Sequence, residues 1–180
     1  MEGKIVLIRH ANAEDAPGIA HVHVSSWRTT YPDIVPSAIL ENLSEERNQA
    51  YWQDLILNPE QGCFVLVAMD KRNQVVGFAS AGQERSGNYP FQGELYAIYM
   101  LRQYQGRGLG RQLVSAVAQQ LLEQGFSSML VWVLRDNLFR AFYEALGGEQ
   151  LGEQEITIGE ATLMEVAYGW KDIHLLVMES

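Results

Sequence analysis

The run Gln105-Gly106-Arg107-Gly108-Leu109-Gly110 constrains this chain more than any other segment. Three glycines in five positions make the backbone easy to bend and leave room for a ligand to come close. Before the run lies a strand-like stretch, residues 91–101. After it, Leu109, Leu113, Val117 and Leu121 recur every four residues, with Val114 and Leu122 beside them. That is an apolar stripe with a helical period, and Gly125 is placed to end it. The chain must therefore pass from strand to helix through a glycine-lined turn. A helix start presents unpaired N–H groups and the positive end of the dipole, so such a turn can cradle a diphosphate. Arg107 and Arg111 would add charge-assisted contacts. A plain tight turn would use the same glycines. The spacing is not that of a dinucleotide-binding GxGxxG, and the Gly-Lys-Ser/Thr of a P-loop is missing.

The remaining elements read as one continuous α/β unit, residues 1–180, without repeats or a flexible linker. Residues 4–10 read as a strand. Residues 12–29 read as a helix with two possible starts: Asn12 with Asp15 forms a capping-box pattern, and Pro17 suits a start at Asp15. A second helical region covers 36–57, divided near Ser44. Residues 63–69 and 75–83 read as a hairpin, 128–134 as a strand buried on both faces, and 137–146 as a helix stopped by Gly147 and Gly148. Residues 150–158 and 161–170 form a last hairpin turning at Gly159. The order β-α-α-β-β-β-α-β-α-β-β predicts an α/β (α+β) fold with a mixed central sheet of about seven strands and about four flanking helices.

Composition narrows the function classes. With 180 residues, 47% apolar and 19% charged, the chain can bury roughly 70% of its unfolded surface without staples. Cys63 is the single cysteine, which excludes an internal disulfide and a cysteine-built metal site. His21 and His23 are two residues apart and point to different faces of a helix, so no metal is expected. A net charge of −9 argues against a nucleic-acid partner. No signal peptide and no apolar run of about 20 residues is visible, which predicts a cytoplasmic protein without a membrane partner.

The pattern Gln105-x-x-Gly108-x-Gly110 after a strand resembles motif A of the GNAT acetyltransferase superfamily. The preceding Glu94-Leu95-Tyr96-Ala97-Ile98-Tyr99-Met100 is similar to that family's fourth strand. The segment from Val131 to Asn137, continued by Phe142-Tyr143-Glu144-Ala145-Leu146-Gly147, resembles motif B. Arg102 departs from the pattern, since relatives often carry proline there. The resemblance implies a GNAT fold and an acyltransferase that moves an acetyl group from acetyl-CoA to a primary amine. That acceptor would be a polyamine-like small molecule or a peptide. Homodimers are common in the family.

The resemblance also implies roles. Gln105, Gly106, Arg107, Gly108, Leu109, Gly110 and Arg111 would hold the pyrophosphate of coenzyme A. Ile98 and Met100 would offer backbone groups to pantetheine, one N–H polarising the thioester carbonyl. Asn137 would bond the pantetheine arm, beside its plain role as a helix cap worth about 1 kcal/mol. Tyr143, on the shoulder of its helix's apolar arc of Leu138, Phe139, Phe142, Ala145 and Leu146, would protonate the departing thiolate; a core tyrosine would look the same. Glu94 would take the amine's proton, directly or through water, or is a plain polar residue at a strand start. Tyr96 shares the face of Glu94 if no bulge intervenes. Trp27, Arg28, Tyr31 and Trp52 cluster in the region that forms the acceptor pocket in the family, where aromatic faces can hold cations; Trp27, Tyr31 and Tyr96 are the substrate candidates, and Trp52 is better read as core. A non-catalytic acetyl-CoA-binding module, or an ATP- or NAD-binding domain using the same loop, remains open.

Overall fold

Residues 64–69 are apolar at every position because both faces of their strand are covered. A computed structural model describes residues 7–178. The strands are β1 (Leu7–His10), β2 (Phe64–Met69), β3 (Val75–Gln83), β4 (Gly93–Met100), β5 (Met129–Leu134), β6 (Glu149–Ile158) and β7 (Ala161–Trp170). They form a seven-stranded sheet in the order β1-β2-β3-β4-β5-β7-β6. All neighbours are antiparallel except β4 and β5. The helices are α1 (Ala16–Thr30), α2 (Ser37–Glu41), α3 (Glu45–Leu57), α4 (Leu109–Glu123) and α5 (Arg140–Ala145). Residues 4–6 of the first expected strand lie outside the described residues.

Two cores sandwich the sheet. On one face Leu113, Val117 and Leu121 of α4 pack on Leu66, Ala79, Leu95 and Val131. On the other, Ile19 and Val22 of α1 and Trp52 of α3 pack on Val67 and Phe78. Each such side chain contributes about 1.5–3 kcal/mol by leaving water. Trp52 is thus core, as its plainer reading had it.

Local sequence sets the ends of these elements. Both starts read for the first helix are used: the Asn12 side chain accepts from Glu14 N–H (2.9 Å) and Asp15 accepts from Asn12 N–H (2.8 Å). Pro17 then opens α1. Ser44 divides α2 from α3 and caps the latter by accepting from Arg47 N–H at 3.2 Å. Helix α4 stops in a Schellman motif. Gly125 has φ +87°, its N–H donates to Leu122 O, and Phe126 N–H reaches back to Leu121 O, both at 2.9 Å.

Two expectations are corrected. Helix α5 begins at Arg140, three residues later than expected, so Asn137 is not its cap. The Asn137 side chain instead accepts from Phe139 N–H (2.9 Å), closing a local turn that competes with helix. Leu138 and Phe139 leave the apolar arc and are exposed. In β4, Leu95 pairs with Ala81 and Ala97 with Ser80, which leaves Tyr96 as an extra residue. That bulge breaks the face alternation assumed for Glu94 and Tyr96.

Candidate active site

The bulge at Tyr96 also bends β4 away from its parallel neighbour. Pairing with β5 runs from Gly93 to Leu95 and stops there. On the other edge Leu101 N–H donates to Val76 O (2.9 Å). By antiparallel alternation, Ile98 and Met100 then turn their N–H and C=O groups toward the gap. The Met100 carbonyl accepts from Ser26 Oγ (3.2 Å) and Gln105 Nε2 (3.3 Å), which ties α1 and the glycine loop to the splayed strand. A cavity of about 620 Å³ fills the opening.

One end of the cavity is the glycine loop. Gln105, Gly106, Gly108, Gly110 and Arg111 line it. Gly106 (φ +69°) and Gly108 (φ +83°) have left-handed backbone conformations, and a Cβ at either would meet nothing within 4 Å. These two glycines are needed for backbone shape, and the space beside them is open to a ligand. Gly110 has another reason: a Cβ there would come within 3.1 Å of Phe142. Gly108 precedes the first turn of the 15-residue helix α4, whose unpaired N–H groups and dipole favour a diphosphate. Arg107 and Leu109 do not line the cavity, and Leu109 is buried in the core.

In the middle stand phenols from three elements. Tyr31 follows α1, Tyr99 lies on β4 and Tyr143 on α5, and all three line the cavity. Burial raises the pKa of the Tyr143 hydroxyl, with the neighbouring Tyr99 adding to the effect, so Tyr143 stays protonated. Its hydroxyl makes no hydrogen bond to another described residue. Tyr31 is raised by burial and then by Tyr99 and Tyr143. Asn137, nine-tenths buried, donates to the Tyr31 hydroxyl at 3.4 Å. Behind Tyr99, His23 stacks on its ring (5.2 Å between centroids, 9° between planes) and accepts from Trp52 Nε1–H at 3.0 Å. Burial pushes the His23 imidazole down to about 4.

The far end is lined by Trp27, Tyr31, Leu134, Ile156, Ile158 and Glu165. Trp27 meets Tyr31 edge-on (5.0 Å), and its buried Nε1–H makes no hydrogen bond of good geometry, although the Tyr99 hydroxyl feels it. Arg28 binds the Leu43 carbonyl (3.0 Å) and does not line the cavity. Tyr96 is part of the lining, and its side chain is held by non-lining residues, the hydroxyl donating to Gln83 O (2.6 Å) and the Arg85 guanidinium lying 3.9 Å over the ring.

The structure therefore brings together most of the expected residues and leaves Glu94 apart. Glu94 is buried and absent from the lining. Its carboxylate accepts from Arg85 Nη2 (2.8 Å), Nε (3.3 Å) and backbone N–H (3.0 Å). Sequence reasoning missed Tyr99 and Glu165. A three-residue offset from Tyr96 across a bulge could have pointed to Tyr99; nothing local marks Glu165. Among the described residues no helix is long and apolar enough to cross a membrane.

Comparison with known proteins agrees with this geometry. The Acetyltransferase (GNAT) family matches residues 23–147. The chain is 42% identical over 172 residues to the uncharacterized N-acetyltransferase YuaI of Bacillus subtilis, covering 96% of each. It is 28% identical over 141 residues to the L-methionine sulfoximine/L-methionine sulfone acetyltransferase of Pseudomonas aeruginosa, covering 72% of each. Its fold is similar to that of the PaiA N-acetyltransferase of Thermoplasma acidophilum in complex with coenzyme A (TM-score 0.72, 21% identity, 89% of this chain and 98% of that one). A strand splayed beside a glycine cradle, together with a family match spanning both, establishes that the chain belongs to the GNAT family and is an acetyl-CoA-dependent N-acetyltransferase.

Proposed function

We propose that the enzyme moves the acetyl group directly to a primary amine in a ternary complex, the amine belonging to a small molecule, polyamine-like or otherwise, or to a peptide. The observation that carries this is the end of the β4–β5 ladder at Leu95, with the glycine loop on one side of the gap and, in its lining, the Tyr143 phenol, which has no hydrogen bond to another described residue. The cavity residues fit acetyl-CoA as cosubstrate. Gln105, Gly106, Gly108, Gly110 and Arg111 hold the diphosphate, with Arg107 adding charge from outside. Leu109 serves through its backbone at the helix start. Ile98 and Met100 offer N–H groups to the pantetheine arm and thioester carbonyl, and Asn137 contributes its side-chain amide.

Tyr143 donates the proton that the departing sulfur needs. Trp27, Tyr31 and Tyr96 shape the acceptor's place. Glu94, bound to Arg85 behind Tyr96, fixes the bulge and so acts as a positioning residue. Proton removal from the amine then falls to water or to another carboxylate on the cavity wall.

Release of coenzyme A with acetyl-CoA and an amine panel tests the reading. Tyr143→Phe is expected to lose more than about tenfold in turnover with coenzyme binding retained; an unchanged rate removes Tyr143 from the mechanism. Glu94→Gln should lower the thermal midpoint and leave the acidic limb of the pH–rate profile in place.

A further inference from the structure

Three carboxylates with restricted solvent access invite comparison. Asp15 is paired with Arg9 at 2.7 Å, and Glu94 with Arg85 at 2.8 Å. Glu165 is half-buried and makes no ion pair among the described residues. Its Oε1 accepts from Gln154 Nε2 at 2.6 Å, and no hydrogen bond from a described residue reaches Oε2.

The surroundings of Glu165 are apolar. On β7 it stands opposite Leu134 of β5 and Gln154 of β6. Leu134 belongs to a cluster with Tyr31, Ile156, Ile158 and Leu163. Among the described residues that line the cavity, Glu165 and Arg111 are the charged ones, and Arg111 is at the glycine-loop end. Apart from the Gln154 amide, no described residue replaces the hydration that this half-buried carboxylate loses on an apolar wall. The Gln154 amide holds one oxygen in place and leaves the other for a ligand.

We propose that Glu165 receives the ammonium of the acceptor and takes its proton, and that the acceptor is a small primary amine with one positive charge and an apolar body. This rests on the reading of the cavity as an acetyl-transfer site. One carboxylate matches one ammonium. Trp27, Tyr31, Ile156 and Ile158 match an aliphatic or aromatic body and would strip water from the further charges of a polyamine. The Glu165 carboxylate takes one proton from R–NH3+, leaving R–NH2. The nitrogen lone pair forms the C–N bond to the thioester carbonyl carbon and the C–S bond breaks. The sulfur takes the Tyr143 proton, Tyr143 regains one from the nitrogen, and Glu165 passes its own to water. The sum is one amide, one thiol and one released proton.

The test uses wild-type enzyme, Glu165→Gln and Glu165→Asp with acetyl-CoA and four probes: 2-phenylethylamine, isoamylamine, the peptide Leu-Gly-Gly and spermidine. Glu165→Gln keeps an oxygen for Gln154 and should fold; thermal unfolding checks this. Wild type is expected to prefer the two apolar monoamines over spermidine by about tenfold or more in kcat/KM. Glu165→Gln should lose about 100-fold with those amines and the acidic limb of the pH profile, with Glu165→Asp recovering part. Calorimetry with coenzyme A bound should show weaker binding of 2-phenylethylamine to Glu165→Gln and unaltered coenzyme affinity. Undiminished activity, or a fall confined to KM with the acidic limb intact, would overturn proton acceptance by Glu165. Preference for spermidine or for Leu-Gly-Gly would overturn the acceptor class. If wild type bound acetyl-CoA and acetylated none of the four, the acceptor class would be overturned; if it failed to bind acetyl-CoA at all, the reading of the cavity as the acetyl-transfer site would fail, and both results are distinct from a defect confined to the variants.

Discussion

At the glycine-loop end of the cavity, where we propose that the coenzyme is held, the groups on offer are backbone: Gly106 and Gly108 in left-handed conformation, the first turn of α4, and the strand edge at Ile98 and Met100. At the end where we propose that the acceptor binds, the wall is built from residues delivered by separate elements: Trp27 of α1, Tyr31 just after it, Tyr99 of β4, Ile156 of β6 and Glu165 of β7. A backbone site is bound to chain conformation and tolerates side-chain exchange outside its glycines. A side-chain site can be re-tailored one residue at a time without disturbing the fold. The difference teaches why one scaffold can keep a constant donor and take varied acceptors.

This contrast can be broken in order of effect. The largest should follow Gly108→Val. A β-branched residue at φ +83° strains or reshapes the loop, and coenzyme affinity should fall by about 100-fold, near 3 kcal/mol, read by calorimetry. Retained affinity would mean that the loop is not the cradle.

The acceptor end should respond to acid. His23 is held down to about 4 from 6.5, so the folded protein binds fewer protons than the unfolded chain between those values. Stability is then fully present above pH 6.5 and falls as pH drops toward 4, by up to about 3 kcal/mol. Denaturant unfolding at pH 7 and pH 4.5 measures this, and His23→Asn should flatten the dependence. The loss would loosen the packing beneath Tyr99 before it touched the cradle.

Trp27→Ala should raise KM for an apolar amine by about tenfold while coenzyme affinity holds. If coenzyme affinity fell equally, the two ends would not be separable. The smallest effect belongs to Ile98→Val: its backbone is the functional part, so activity should stay within about twofold.

Legibility in the sequence followed the same division. The glycine run, the α4 stripe and its Gly125 stop were read from adjacent residues, because turns, caps and amphipathic periods are local. Asn137 shows the limit: its side chain closed a turn with Phe139 N–H and delayed α5 to Arg140. Glu94 looked available on its strand until Arg85, from the preceding loop, closed on it. Glu165 carried no local signal, and Tyr99 only its three-residue offset from Tyr96 across a bulge, as each takes its meaning from neighbours far along the chain.

The sequence by itself determined the order of elements, the glycine loop before α4 and the family, since these depend on residues within a few positions of one another. Only the tertiary structure decided that β4 bulges at Tyr96 and parts from β5 after Leu95, and that Glu94 is paired with Arg85 while Glu165, in the cavity lining, has no ion-pair partner among the described residues. The physical reason is that a charge or a phenol takes its chemistry from whatever packs against it, and packing joins residues that the chain holds far apart.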